Sequence, residues 1–230
     1  MPGLALNADT LYLIVIVVSI LLGTFTQNHI KSEYRKWSGV PASTGETGAQ
    51  VAERMLRSEG VYDVRINPVK GRLTDFYDPR TNTLNLSQEN LEGGSVASIA
   101  VACHEAGHAL QNAKGYAPMR FRTMLAPIAG ITSSTWMIAF IAGMMLNMVG
   151  LVQIALIMFA ASVVFQVLTL PVEYDASARA VGYIESAGMD ATSLEGAKSV
   201  LNAAALTYVA NALVSVLQLV YLLSSSKDRR

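Results

Sequence analysis

Cysteine is nearly absent. Cys103 is the only one in 230 residues, so no internal disulfide framework holds this chain together. Charge is also sparse: 15% of the residues are Asp, Glu, Lys or Arg, and 17 basic side chains balance 17 acidic ones to a net charge of zero. A nucleic-acid partner would need a basic excess gathered on one face, so none is expected. No basic residue precedes the first apolar run, where a cleaved signal peptide would carry one; the first charge is Asp9. In place of charge the chain has apolar length, with 52% hydrophobic residues and a mean hydropathy of +0.37. That balance points to a lipid bilayer.

Residues 11–22 are apolar apart from Tyr12 and Ser19, and no charge occurs between 10 and 27. With its flanks this run reaches the roughly 20 residues that cross a hydrocarbon core of about 30 Å. Lys31, Arg35 and Lys36 follow it. The positive-inside rule therefore predicts an uncleaved anchor over 1–28, with its N-terminus outside and the following region in the cytosol. Two uncharged runs, 124–149 and 151–170, come after Arg120 and Arg122 and are interrupted only by Asn147 and Gly150. They predict a transmembrane hairpin over 119–171, leaving the cytosol and returning to it. A last apolar run, 201–223, carries Tyr208, Asn211, Ser215 and Gln218 at helical spacing. Such a stripe is costly against lipid and is expected to face protein. Four crossings are expected, although they leave the basic tail Lys227, Arg229 and Arg230 outside, against the rule.

Residues 29–118 are a different material, with mixed charge and ordinary turn residues. They predict a helix over 45–59 that stops at Gly60, and a strand over 63–67 that ends at Pro68. Strands over 73–78 and 83–87 follow, joined by a turn at 79–82, and then a helix over 95–112 in which Ala97, Ala100, Ala102 and Ala106 permit close packing. The expected fold is thus a mainly α membrane protein, with about four transmembrane helices and a small cytosolic α+β module. Residues 172–230 complete it with a ligand-bearing helix, a polar connector and a C-terminal membrane helix.

His104-Glu105-Ala106-Gly107-His108 fits H-E-x-x-H. On a helix, positions i and i+4 share a face, so both imidazoles can reach one metal ion, with Glu105 beside the position where water would bind. Zinc takes imidazole readily and tolerates four or five ligands. Two of the chain's three histidines lie in this motif, and Val96, Ile99 and Val101 make the helix apolar, where an uncompensated Glu105 would be costly. A peptidase site needs one further protein ligand. Glu173, 65 residues beyond His108, lies where the hairpin returns and Pro171 ends or kinks its second arm; Asp175 is the alternative. The expected cofactor is one Zn2+ per chain.

Four blocks carry a resemblance. They are L-T-D-F-Y-D-P-R-T at 73–81, H-E-A-G-H-A at 104–109, E-Y-D-A-S at 173–177 and G-A-K-S-V-L-N-A-A-A-L-T-Y at 196–208. Through them the chain resembles the YugP-type neutral zinc metallopeptidases of bacterial membranes and, more remotely, the HtpX and CAAX prenyl-protease families. The resemblance implies His104, His108 and Glu173 as metal ligands in a multi-pass bacterial plasma-membrane peptidase. In the HtpX-like pattern an aspartate four residues after the ligand glutamate orients a zinc-bound imidazole. Here that position is Ser177, which leaves the hydroxyl or a backbone carbonyl for the task. The pentapeptide also occurs in the FtsH type of ATP-dependent protease, but this chain has no G-x-x-x-x-G-K-[ST] motif.

The function expected is zinc-dependent hydrolysis of peptide bonds, with Glu105 as catalytic base. The expected substrates are membrane or membrane-associated proteins cut at the cytosolic interface. Tyr208 and Arg179 are rival candidates for stabilising an oxyanion. The 73–87 hairpin could offer an edge to an extended substrate. His29 and Cys103 read as structural. The alternatives are a non-catalytic membrane scaffold with a structural zinc, and a zinc hydrolase acting on a non-peptide bond.

Overall fold

The computed structural model describes residues 8–227. Seven helices and three strands follow in order: α1 (Ala8–Ser38), α2 (Gly48–Ser58), β1 (Arg65–Val69), β2 (Phe76–Asp78), β3 (Thr83–Ser87), α3 (Gln88–Glu92), α4 (Val96–Ala113), α5 (Ala117–Met145), α6 (Val149–Ser186) and α7 (Ala191–Lys227). Four of them, Tyr12–Ser38, Ala117–Met145, Val149–Ser186 and Ala191–Ser225, are long and apolar enough to cross a membrane. The chain is a mainly α membrane protein with a small α+β module.

The long helices form a row. α1 packs on α7, α7 on α6 and α6 on α5. Stacking of Tyr12 on Tyr221, with ring centroids 5.2 Å apart, makes α1 and α7 antiparallel. At the other end of this pair the Ser199 hydroxyl donates to Glu33 at 2.6 Å. α7 thus runs the full length of α1, and Lys227 ends up on the side away from the α+β module; Arg229 and Arg230 lie outside the described residues. α5 and α6 make a tight hairpin whose chain reversal is at Asn147, with φ of 51°. A Cβ at Gly143 would come within 2.9 Å of the Val152 backbone nitrogen, so the absent side chain sets how closely the two arms approach. Trp136 stacks on Phe159 at 4.1 Å farther along.

The helices outrun their apolar cores. α6 passes through Pro171 and continues to Ser186, so the proline neither ends the helix nor starts the connector that the sequence suggests. A proline removes one backbone donor, but the turns around it are held by packing: Val172, Ala176 and Ala180 are fully buried. Gly150, expected as a breaker, lies in the first turn of α6. The polar connector expected within 172–230 reduces to the turn at 187–190, with Gly188 at φ 71°. Likewise the anchor expected to stop at 28 continues as one helix to Ser38.

The module is built around α4, which is buried from Val96 to Gln111 except for the half-buried Val101. Ser95 caps it, its hydroxyl accepting from the Ser98 N–H. α2 begins at a capping box between Thr47 and Gln50 and packs Val51, Ala52, Met55 and Leu56 inward. The sheet has the order β1-β3-β2, with β1 parallel and β2 antiparallel to β3. β1 is shifted from its expected position and runs through Pro68, which pairs in register with Leu86. An edge strand tolerates this because the missing N–H can face outward.

Candidate metal centre

α4 lies across the module end of the row, against α1, α5, α6 and α7, and brings the H-E-x-x-H motif to α6. The two backbones nearly touch there: a Cβ on Gly107 would sit 2.7 Å from the Ala176 carbonyl oxygen. Glycine at the fourth position of the motif is what lets the ligand-bearing faces of α4 and α6 meet.

His104, His108 and Glu173 come together, their candidate ligand atoms all within 4.8 Å of one another. Glu173 Oε2 is 3.3 Å from His104 Nε2 and 3.5 Å from His108 Nε2. Metal bonds of about 2.0–2.1 Å in tetrahedral geometry place neighbouring ligand atoms about 3.4 Å apart, so the two distances from Glu173 suit a zinc-sized ion. Glu173 is 1% exposed, and its Oε1 makes no hydrogen bond, with the Arg122 guanidinium 3.4 Å away.

The hydrogen bonds behind the histidines decide which nitrogens face the cluster. Gln111 Nε2 donates to the Val172 carbonyl at 2.7 Å and to Asp175 Oδ2 at 2.8 Å. Both partners are acceptors, so the amide cannot be flipped, and its oxygen is the atom 3.0 Å from His108 Nδ1. That nitrogen must donate, which leaves the Nε2 lone pair aimed at Glu173 when the ring is neutral. His104 Nδ1 lies 3.1 Å from the Ser177 hydroxyl and can donate to it in the same way. Neutral rings would then turn two lone pairs and a carboxylate toward one point. A cation there satisfies all three.

Ser177 thus stands where the sequence comparison expected a carboxylate, as one of the two outcomes left open. Asp175, the alternative ligand, is turned away and holds both Gln111 and Arg179, the latter at 2.6 Å. Arg179 also lies over the Tyr116 ring and lines a cavity of about 630 Å3 shared with Arg54, Glu59 and Tyr183, separate from the metal cluster. His29 stacks on Phe25 in α1, and Cys103 is buried; neither joins the cluster.

Glu105 faces the same centre from one side. Its Oε2 accepts the Tyr77 backbone N–H at 3.0 Å, on the edge of β2 that β3 does not use. The Tyr77 ring locks that strand to α4, its hydroxyl donating to Asn82 at 2.7 Å and accepting from Asn112 at 2.9 Å. Burial pushes the Glu105 carboxyl up to about 7; His104 and Arg122 oppose the shift, and Glu173 and Asp75 reinforce it. A carboxyl held there exchanges protons readily at neutral pH. Asp75 is itself fixed by the Ser87 N–H at 2.7 Å and the Asn90 amide at 2.9 Å.

A cavity of about 230 Å3 opens onto His104 and Glu105, lined also by Asp75, Gln27 of α1, and Ala204, Thr207 and Tyr208 of α7. A second, of about 400 Å3, lies on the α5 side between β2 and Met119, Arg122 and Thr123. The polar stripe of α7 is divided: the Ser215 hydroxyl donates to Gln166 of α6 at 3.0 Å, whereas Tyr208 and Asn211 are exposed rather than covered by protein.

Known proteins resemble this chain over nearly all of its length. A family model described as "Putative neutral zinc metallopeptidase" matches residues 12–227. The chain is 42% identical over 210 residues to a protein of Bacillus subtilis (strain 168) named "Putative membrane protease YugP", covering 91% of this chain and 93% of that one. No solved structure matches it.

Proposed function

The chain belongs to the neutral zinc metallopeptidase family, and on that premise we propose that it is a zinc-dependent endopeptidase of membrane and membrane-associated proteins. His104, His108 and Glu173 hold the ion. The observation that carries this reading is the pair of short distances from Glu173 Oε2 to the two imidazole Nε2 atoms, 3.3 and 3.5 Å, on rings oriented by Gln111 and Ser177.

When bound, zinc supplies Lewis-acid polarisation of the scissile carbonyl and acidifies water at neutral pH. Glu105 takes the proton from the attacking water and delivers it to the leaving amine. The Tyr77 N–H keeps one carboxylate oxygen of Glu105 fixed, leaving the other free for that proton. Tyr208, in the cavity beside His104 and Glu105, is the better placed of the two candidates for the oxyanion. Arg179 is committed to Asp175 and plays a positioning part through Gln111 instead.

The site faces the cytosol in this reading. Lys31, Arg35, Lys36, Arg120 and Arg122 all flank membrane segments at the module end, and a bacterial plasma membrane retains such charge on its inner side. Glu173 is 24 residues from Val149, about 36 Å of helix at about 1.5 Å per residue, which brings it to the bilayer surface. A purely structural zinc would close its shell with a fourth protein ligand, and the His, Cys, Asp and Glu cluster among the described residues has three members. The test is Glu105→Gln in the full-length protein. Zinc content should stay that of wild type while hydrolysis of an unfolded soluble protein disappears; undiminished hydrolysis would remove Glu105 as the base.

A further inference from the structure

α7 has two exposed faces of opposite character. Ala203 and Ala210 are buried along one edge, Ala205 and Ala212 along another, and at about 100° per residue these edges lie on nearly opposite sides of the helix. They hold α7 between its neighbours α1 and α6. One face left between the edges carries Leu206, Leu213, Leu217 and Val220, all exposed and apolar, as a lipid-facing surface should be. The other carries Ala204, Tyr208, Asn211, Ser215 and Gln218, and here the exposed residues are Tyr208 and Asn211.

An amide left open on a membrane-spanning helix is costly against hydrocarbon, so a face of this kind marks a surface that something polar covers. Among the described residues Asn211 is left exposed. The upper end of the face runs directly into the cavity of the metal centre, where Ala204 and Tyr208 stand beside His104 and Glu105. The helix row is also open: its ends, α1 and α5, are not packed neighbours, so the face is reached from the bilayer without parting any helix pair.

We infer that this face of α7 is the docking groove for the membrane-spanning segment of a protein substrate, bound in extended form and led along Asn211 and Tyr208 to the metal centre. The inference rests on the peptidase reading and specifies its substrate class. A peptide bond must leave the helix before it can be attacked, and an unwound segment in hydrocarbon needs partners for each freed N–H and C=O. The Asn211 and Gln218 amides offer donors and acceptors along one line at i and i+7, and the Tyr208 ring stands where that line meets the metal centre. Between Ala203 and Val220 the apolar side of the same helix offers none.

The test uses the full-length, zinc-loaded protein in vesicles, in a Glu105→Gln background that leaves the substrate uncut. The probe is a synthetic single-span peptide of about 20 apolar residues with a central Gly-Pro pair and one cysteine. Cys103 is buried, so a cysteine introduced by Asn211→Cys or by Leu213→Cys is the reactive one. Disulfide formation with the peptide should be several-fold greater from position 211 than from 213. Equal yields, no adduct at 211, or a disulfide between two copies of the chain would each overturn the groove. A second arm compares hydrolysis by wild type with that by the pair Asn211→Leu and Gln218→Leu. Cleavage of the spanning peptide should fall about tenfold, the scale of one or two hydrogen bonds in hydrocarbon, with cleavage of an unfolded soluble protein unchanged. Equal loss on both substrates would contradict the groove. A 211 adduct without hydrolysis by wild type would leave the groove standing and sink the peptidase reading.

Discussion

The side-chain oxygen of Gln111 lies 3.0 Å from Nδ1 of His108, and nothing else about Gln111 is free to vary, because its nitrogen is spent on the Val172 carbonyl and Asp175. One amide therefore joins the two halves of the ligand set, fixing an imidazole of α4 to the turn of α6 that carries Glu173.

Gln111→Leu should accordingly weaken zinc binding by about 10–100-fold, the usual effect of removing a residue that orients a metal-bound histidine. Competition with a chromophoric chelator measures it. An affinity equal to wild type would mean that His108 is oriented by packing alone.

Gly107→Ala forces a methyl group into the Ala176 backbone, where the carbonyl oxygen would be 2.7 Å from the new carbon. Overpacking of this kind costs about 1–3 kcal/mol. Backbone cannot rotate away as a side chain would, so α6 has to shift and carry Glu173 with it. A lowered Tm together with weaker zinc binding is expected. A Tm loss with unchanged affinity would show that the strain relaxes elsewhere.

The Glu105 carboxyl gives a pH dependence to the metal-free protein. Its folded value is raised, by burial first, to about 7, above that of an ordinary glutamate near 4.5. A raised value means that the protonated form is favoured in the fold. Its stabilising contribution is then complete below the ordinary value and is lost as pH rises through about 7. Chelator-stripped protein should melt at falling temperature between those limits, and Glu105→Gln should flatten that part of the profile. An identical slope in the variant would assign the titration to other groups, the two imidazoles first.

Much of this was legible in the sequence, and the parts that were not have physical reasons. The i, i+4 spacing of His104 and His108 needs only a helix to become a half-site, and the apolar residues before it guaranteed a buried one. Glu173 was legible because two uncharged runs of membrane length return the chain to its starting side. Gln111 was missed although it stands three residues after His108, on the same helical face, where a residue orienting that ring has to be. Arg122 was read only as a topological charge; its approach to Glu173 depends on the packing of α5 against α4, which no local pattern encodes. The path of α6 through Pro171 and that of β1 through Pro68 were misjudged for one reason. Proline weighs against helix and strand locally, but burial of Val172 and Ala176, and the edge position of β1, outweigh the loss of one donor. The polar stripe of α7 was expected to face protein; Ser215 does so through Gln166 of α6, whereas Tyr208 and Asn211 are exposed, a difference that depends on how α6 and α7 pack and that no local pattern encodes.

The most direct test of the ligand set is the zinc stoichiometry of the purified, detergent-solubilised chain, measured for wild type, Glu173→Ala and Glu105→Gln after dialysis against a weak chelator. The account predicts about one zinc per chain in wild type and in Glu105→Gln, and a large loss in Glu173→Ala. Full retention of zinc by Glu173→Ala would contradict it.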